Sequence, residues 1–455
     1  MKNGAEERFA GMKSFYNSGV TRDINSRIDA LNALATAIKT NEKEITEALW
    51  KDLHKSTGEA YLTEIGIVLS EIKTQIKNIR RWARPHRVGS PVAIFPSSSR
   101  VLYEPKGVVL IIAPWNYPFQ LAIDPLVGAI AAGNCVMLKP STTSAATCAV
   151  IKKMLSEVFP DNYVSVFDGD HEQTAHLLKM KFDHIFFTGG SVFGRTVMME
   201  AAKNLVPVTL ELGGKSPCIV DRDADIDIAA RRVAWGKLIN AGQTCIAPDY
   251  LFVHKNVKDL FVEKYKENVT RFYGEDIKSG ADYPRIISDK AFDRLAAYLS
   301  GPGTVIYGND TDKGERYISP TLMEGVDVNS PLMCEEIFGP ILPVMTFEEI
   351  SEVTAFVNSR DKPLAFYYFG KKRDAIEILG ATTSGGACVN DTIMHIVNGK
   401  LPFGGVGMSG MGKYHGKYSF QTFSNARGTV FSKTSMDIKM RYPPYGKIKM
   451  LKKIL

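Results

Sequence analysis

The feature that most constrains the fold lies between residues 105 and 212, where short unbroken apolar runs alternate with helical segments. The runs "GVVLIIAP", "NCVMLKP", "VSVF", "HIFF" and "VTLELGG" follow one another, with helical stretches such as 142–159 and 192–202 between them. A strand buried on both faces reads as a continuous apolar run, and parallel strands need a crossover helix to join them. The pattern predicts a parallel, doubly wound α/β sheet. Ligands of such sheets bind beyond the carboxyl ends of the strands. There the chain reads "PWNYP", "KPST", "TGGSVFG" and "ELGGKSP", which predicts Asn116, Lys139, Thr188 and Glu211 along one edge.

Ahead of this sheet, residues 26–54 place Ile28, Leu31, Leu34 and Ile38 at helical spacing, so the chain opens with amphipathic helices. After it, the stretch from "PCIVDRDADIDIAARRVAWGKLINAGQTC" through "LFVHKNVKDLFVEKYKENV" to "CVND" repeats the α/β pattern. The expectation is two doubly wound α/β domains, one of residues 1–80 and 105–211 and one of 212–417. Two polar, turn-rich inserts, 81–104 and 418–432, alternate weakly like strands and read as hairpin arms that bridge or oligomerise. Residues 433–455 are a basic tail.

A chain of 455 residues with 45% hydrophobic content can bury a large core. The charged N-terminus lacks an apolar signal-peptide segment, and no window approaches the roughly 18 apolar residues of a membrane span, so a cytoplasmic protein is expected. The six cysteines are dispersed with no C-x-x-C pair, which argues against a zinc cluster or a disulfide framework. "HEQTAH" spaces His171 and His176 five apart, one too many for the H-E-x-x-H zinc site, so no metal is expected. Of the formal net charge of +7, residues 433–455 carry seven basic residues against Asp437, or +6. The nearly neutral remainder argues against nucleic-acid binding. In the tail, "KIKMLKKIL" sets Ile448, Leu451 and Leu455 among lysines, suited to weak membrane-surface contact or to packing on the body or a partner subunit.

Chemistry concentrates in "NAGQTCIAPD". Cys245 is either a thiolate nucleophile or a small buried hydrophobe. As a nucleophile it has oxyanion donors at hand in the Asn116 side-chain amide and its own backbone N–H. Glu211 ends an apolar run ahead of Gly213 and Gly214, and is either a general base or a strand-end ion-pair partner. In "TGGSVFGRT", Gly189, Gly194, Arg195 and Thr196 imitate a G-x-x-x-x-G-K-[ST] phosphate loop with arginine in place of lysine. Opening a helix after a buried strand, that loop suits the phosphates of ATP or of a dinucleotide. A thiol enzyme, a nucleotide hydrolase and a binding protein all remain in view.

The motifs "PWNYP", "LKPS", "FTGGSVFG", "LELGGKSP", "NAGQTC", "EEIFGP" and "LPFGGVGMSGMGKYHG" stand in the order and rough spacing of the aldehyde dehydrogenases, which the chain resembles over nearly its whole length. The short N-terminus and "RYPPY" are most similar to the class 3 branch, which handles medium-chain aliphatic and aromatic aldehydes. The resemblance implies a dinucleotide-binding domain followed by a catalytic one, NAD or NADP as cofactor, an aldehyde substrate and a homodimer. It implies Cys245 as nucleophile, Asn116 as oxyanion donor and Glu211 as the base for a deacylating water. For the cofactor it implies Lys139 at the adenosine ribose, Trp115 with the turn of Thr188, Gly189, Gly190 and Gly194 by the pyrophosphate, Leu212 beside them, and Glu336 with Phe338 at the nicotinamide ribose. Tyr117, Trp235, Thr244 and Ile393 are implied as substrate-pocket walls. NAD-preferring members often carry a glutamate where this chain has Thr142, so acceptance of NADP beside NAD is expected. Retention of Glu211 favours hydrolysis over transfer to coenzyme A.

Overall fold

Strands at Val108–Ile112, Cys135–Lys139, Val164–Val166, His184–Gly189 and Val208–Leu212 form a parallel sheet, as the apolar runs predict. The structure, a computed structural model, describes residues 2–445. Gly410–Met411 adds an antiparallel edge beside Val208–Leu212. The chain runs outward from the central strand Val108–Ile112 to Cys135–Lys139 and Val164–Val166, then crosses back to His184–Gly189 on the other side. The order therefore reverses between Val108–Ile112 and His184–Gly189, where a doubly wound sheet opens a crevice. Register fixes the edge: Ile112 pairs with Lys139 and Phe187, and Thr188 pairs with Glu211.

The helices flanking this sheet follow their sequence patterns except one. Ile24–Thr40 buries Leu31, Leu34 and Ile38, and Glu42–Leu53 buries Ile45, Leu49 and Leu53. Gln120–Ala132 has every residue buried, so "QLAIDPLVGAIAA" shows no amphipathic period and escapes a pattern search.

A second sheet of seven strands is built from Thr304–Tyr307, Thr321–Glu324, Ile341–Phe347, Tyr250–His254, Pro217–Val220, Ala365–Phe369 and Gly386–Val389, parallel except for Thr304–Tyr307. A third, antiparallel sheet joins His86–Val88, Ser97–Pro105 and Ser424–Ser432. The reading of 418–432 as strand throughout is corrected at its start, because Lys417–Thr422 is a helix. Helical spacing lets Phe420 pack on Trp82 and Tyr103, with ring centroids 5.9 and 5.8 Å away, which an extended chain would turn outward. Among the described residues no helix is long and apolar enough to cross a membrane. The tail segment "KIKMLKKIL" lies outside the described residues.

Candidate active site

The crevice at the strand reversal is a cleft of about 270 Å³ lined by residues of both large sheets' connections, among them Trp115, Asn116, Thr188, Glu211, Cys245 and Glu336. Leu121, Gly189, Gly190, Leu212, Gly213, Arg294 and Phe338 complete most of its wall.

Cys245 enters from the turn after the helix Ile226–Leu238 and its short continuation Ile239–Gly242. Asn240, Ala241 and Gly242 hold φ of 53, 51 and 74° in succession. Left-handed backbone costs a non-glycine residue on the order of 1 kcal/mol or more, so such a turn persists only when its surroundings enforce it. They do. Glu59 accepts from the Asn240 N–H at 2.8 Å, the Asn240 amide donates to the Asn116 carbonyl at 2.8 Å, and Gln243 donates to the carbonyls of Asn240 and Arg285. The result delivers a half-buried Cys245 sulfur to the cleft, with the N–H groups of Cys245 and Ile246 donating toward it. Burial, then Glu336 and Glu211, push its thiol pKa up, so it rests protonated beside two carboxyl groups.

Asn116, 3% exposed, follows the central strand, and its amide donates to the Gln243 carbonyl at 3.0 Å. One amide hydrogen remains for a ligand. Glu211, also 3% exposed, has neither carboxylate oxygen hydrogen-bonded, and burial pushes its pKa well up while Lys413 pulls it down. An unpartnered buried carboxyl facing a cleft is suited to accept a proton.

The cleft wall also offers unsatisfied groups of another kind. Thr188 Oγ1 and Glu336 Oε1 are buried without a hydrogen-bond partner. Burial raises the Glu336 carboxyl to about 8, with Asp249 adding to the effect. A Cβ at Gly213 would overlap the Glu336 carboxylate, so any side chain there would displace it. Trp115 meets Phe338 edge-on, centroids 5.4 Å apart. The helix Ser191–Ala202 begins at Gly190 with no side chain capping its first N–H groups, where an added Cβ would meet open space. This wall therefore presents a helix N-terminus, orphaned acceptors and an aromatic edge, which fit the phosphates and ribose of a dinucleotide.

Other expected residues lie outside this lining. Lys139 ends its strand with one long bond to the Pro140 carbonyl, 3.3 Å, and Thr142 is exposed nearby. Gly194 is buried in the helix, where a Cβ would meet Leu212 at 2.7 Å. Tyr117 and Thr244 bond each other through their hydroxyls at 2.5 Å. Trp235 is half-buried, and Ile393 is buried with φ 62°, ahead of a tight turn in which the Met394 N–H reaches the Thr392 carbonyl. The sequence reasoning did not single out Arg294, which lines the cleft and donates to the carbonyls of Glu336 and Ile337, or Lys413. It also passed over the buried pair Lys55 and Glu64 beneath Asn116. Arg294, Lys55 and Glu64 lie in no quoted motif, and Lys413, though inside "LPFGGVGMSGMGKYHG", acts on backbone carbonyls that the sequence does not reveal.

Known proteins resemble this chain over nearly its whole length. The model of the Aldehyde dehydrogenase family matches residues 9–428. The 4,4'-diaponeurosporen-aldehyde dehydrogenase of Staphylococcus aureus (strain NCTC 8325 / PS 47) is 46% identical over 453 residues, 99% of each chain. The protein of Canis lupus familiaris named "Aldehyde dehydrogenase, dimeric NADP-preferring" is 45% identical, covering 95% of this chain and 96% of its own. A solved structure described as the substrate-bound state of Staphylococcus aureus AldH superposes with a TM-score of 0.96 at 45% identity, over 99% of both chains.

Proposed function

This chain belongs to the aldehyde dehydrogenase family, and on that premise we propose that it oxidises hydrophobic aldehydes, aliphatic or aromatic, to carboxylic acids through a thioester on Cys245. It is an NAD(P)-dependent enzyme, as its family is. The observation that carries the mechanism is one shared cleft lined by Cys245, Asn116 and Glu211 together with Thr188, Glu336 and Phe338.

Cys245 gives its proton to solvent water and its sulfur bonds to the aldehyde carbon, whose C=O π pair moves onto oxygen to give a thiohemiacetal oxyanion. The remaining Asn116 amide hydrogen and the Cys245 backbone N–H would stabilise that charge as it develops. A bound nicotinamide cofactor would supply the acceptor for the hydride that leaves the substrate carbon. Glu211 then takes a proton from water, the water oxygen bonds to the thioester carbon, and the carbon–sulfur bond breaks to release the acid and the thiolate. Glu336 and Phe338 would hold the nicotinamide ribose. Trp115, Leu212 and the Thr188 to Gly190 turn with Gly194 would cradle the pyrophosphate, and Lys139 the adenosine ribose. Thr142 supplies no carboxylate against a 2′-phosphate, which supports use of NADP beside NAD.

Tyr117, Trp235, Ile393 and Leu121 suit an apolar substrate, with Thr244 held by Tyr117. Among the described residues the long strand Ser424–Ser432 has no partner on one edge, and it exposes Val430 and Phe431, which supports a homodimer, the state named for the canine relative. The nucleotide hydrolase reading loses its support with the family assignment. Formation of reduced cofactor is measured with benzaldehyde, hexanal, decanal and succinic semialdehyde under one set of conditions. The reading requires the hydrophobic aldehydes to lead and Cys245→Ala to abolish turnover; preference for the semialdehyde, or activity in that variant, refutes it.

A further inference from the structure

The segment 403–414 folds back over the strand that carries Glu211: Gly410 and Met411 pair with Glu211 and Leu210, and Phe403 pairs with Tyr414. Lys413 rides on this segment, half-buried. Its ammonium donates to the carbonyls of Gly404, of Gly405 at 3.3 Å and of Gly385 at 3.4 Å, and it forms no ion pair with any described residue. These three acceptors fix its place. A Cβ at Gly404 would lie 2.8 Å from Glu211 Oε1 and 3.0 Å from Lys413 Cδ. The carboxylate and the lysine stem therefore flank one point and stand at most about 6 Å apart, within range of strong through-space interaction.

Glu211 makes no hydrogen bond to offset its burial. The other titratable groups that face it, Cys245 from the 242–247 turn and Tyr414 from its own covering segment, bear no positive charge. We propose that Lys413 is the countercharge of the deacylation base: clamped by three carbonyls, it acts through space on the Glu211 carboxylate and sets the pH at which deacylation turns on. This rests on the reading of Glu211 as base. Lys413 is a positioning residue, since it touches backbone and not the reacting atoms. The influence is mutual: burial pushes Glu211 up and Lys413 draws it back, while burial lowers Lys413 and Glu211 raises it.

The Lys413 ammonium lies two bonds beyond Cδ, about 6 to 8 Å from the carboxylate; in a medium of effective dielectric about 20 a unit charge there displaces a carboxyl ionisation by roughly 1.5 to two pH units, which solvent around a half-buried lysine holds to between one and two. Removing the cation disfavours the carboxylate, so the shift is toward higher pH.

The test needs no cofactor. An activated ester, p-nitrophenyl acetate, acylates Cys245 in a burst, and steady release afterwards reads hydrolysis of the thioester. Its steady rate is followed against pH in the wild type, Lys413→Met, Lys413→Gln, Lys413→Arg and Glu211→Gln, each first shown folded by circular dichroism. The acid limb moves up by one to two units in Lys413→Met and in Lys413→Gln, and Lys413→Arg restores it. Limbs that stay at the wild-type pH in the neutral variants overturn the proposal, and if one variant fails to fold the other carries the comparison. Glu211→Gln separates the two levels. A wild-type limb in that variant overturns the base assignment itself, whereas its loss, with unmoved Lys413 variants, refutes only the role of Lys413.

Discussion

The buried pair Lys55 and Glu64 offers the sharpest test of how the site is held. Both side chains are fully buried, with Nζ 2.5 Å from Oε1. The second Glu64 oxygen accepts from the backbone N–H groups of Phe119 and Gln120 at 2.8 and 3.1 Å. Lys55 also donates to the Asn116 carbonyl at 3.0 Å and stands over the Tyr117 ring, 4.0 Å from its centroid. The turn 116–120, which aims the Asn116 amide into the cleft, therefore hangs from this ion pair. Breaking a buried pair by removing one partner leaves an uncompensated charge and costs about 3 to 5 kcal/mol, whereas replacing both with residues of similar volume costs far less. Glu64→Gln should thus lower apparent stability by roughly that amount, Lys55→Met likewise, and Lys55→Met with Glu64→Gln by much less than the sum. With the turn released, the oxyanion donor is displaced, and the acylation burst should slow by on the order of 10²-fold. Urea unfolding followed by tryptophan fluorescence gives the first quantity and rapid-mixing ester acylation the second. If Glu64→Gln unfolds within about 1 kcal/mol of the wild type and acylates at the same rate, the pair is a passive core feature.

The remaining predictions concern individual groups. Asn116→Ala should slow acylation by about 10²-fold or more while leaving the cofactor dissociation constant nearly unchanged, as rapid mixing and calorimetry will show. Gly213→Ala would drive a methyl group into the Glu336 carboxylate and should weaken cofactor binding by on the order of tenfold; equal affinity by calorimetry would remove Glu336 from the cofactor site. Thr142→Glu should depress kcat/KM for NADP by about tenfold or more relative to NAD, and paired kinetics with equal losses would contradict the placement. Stability should respond to acid through buried histidines: burial lowers His395 to about 4 and His415 to about 3, while the unfolded chain protonates both below about 6.5. Stability from these groups is thus lost as pH falls from about 6.5, at up to about 1.4 kcal/mol per pH unit each. Glu59 and Glu336, raised by burial to about 7 and about 8, act oppositely as pH falls, but only down to about 4.5. The urea midpoint should therefore drop more steeply below about 4.5 than above it, and His415→Gln should lessen the drop.

What could be read from the sequence divides along physical lines. Strands such as Cys135–Lys139 are apolar on both faces because both faces are covered, so their ends, and hence Asn116, Thr188 and Glu211, could be set on one edge before any coordinates. The helix Gln120–Ala132 was lost for the same reason, since a helix buried all round shows no period to find. Cys245 and Glu336 were recognisable by identity and motif, but their surroundings were not. Ala241, Phe338 and Ile393 take positive φ that nothing in their side chains announces.

That strain has to be held by something, and the holding groups lie far away in sequence. Glu59 secures Asn240 across 181 positions, Lys55 secures Asn116 across 61, and Gln243 is locked by the Ile287 N–H at 3.0 Å. Each does so through a backbone carbonyl or amide, which every residue possesses, so no residue type at the receiving end betrays the contact. The reacting groups are consequently legible as chemistry, because a thiol or carboxylate cannot be exchanged for another side chain without loss. Their aim is legible only in three dimensions. A substitution at Lys55, Glu59 or Glu64, which touch no reacting atom, should accordingly disturb the reaction more than one at exposed Thr142, which lies beside the cofactor-binding edge.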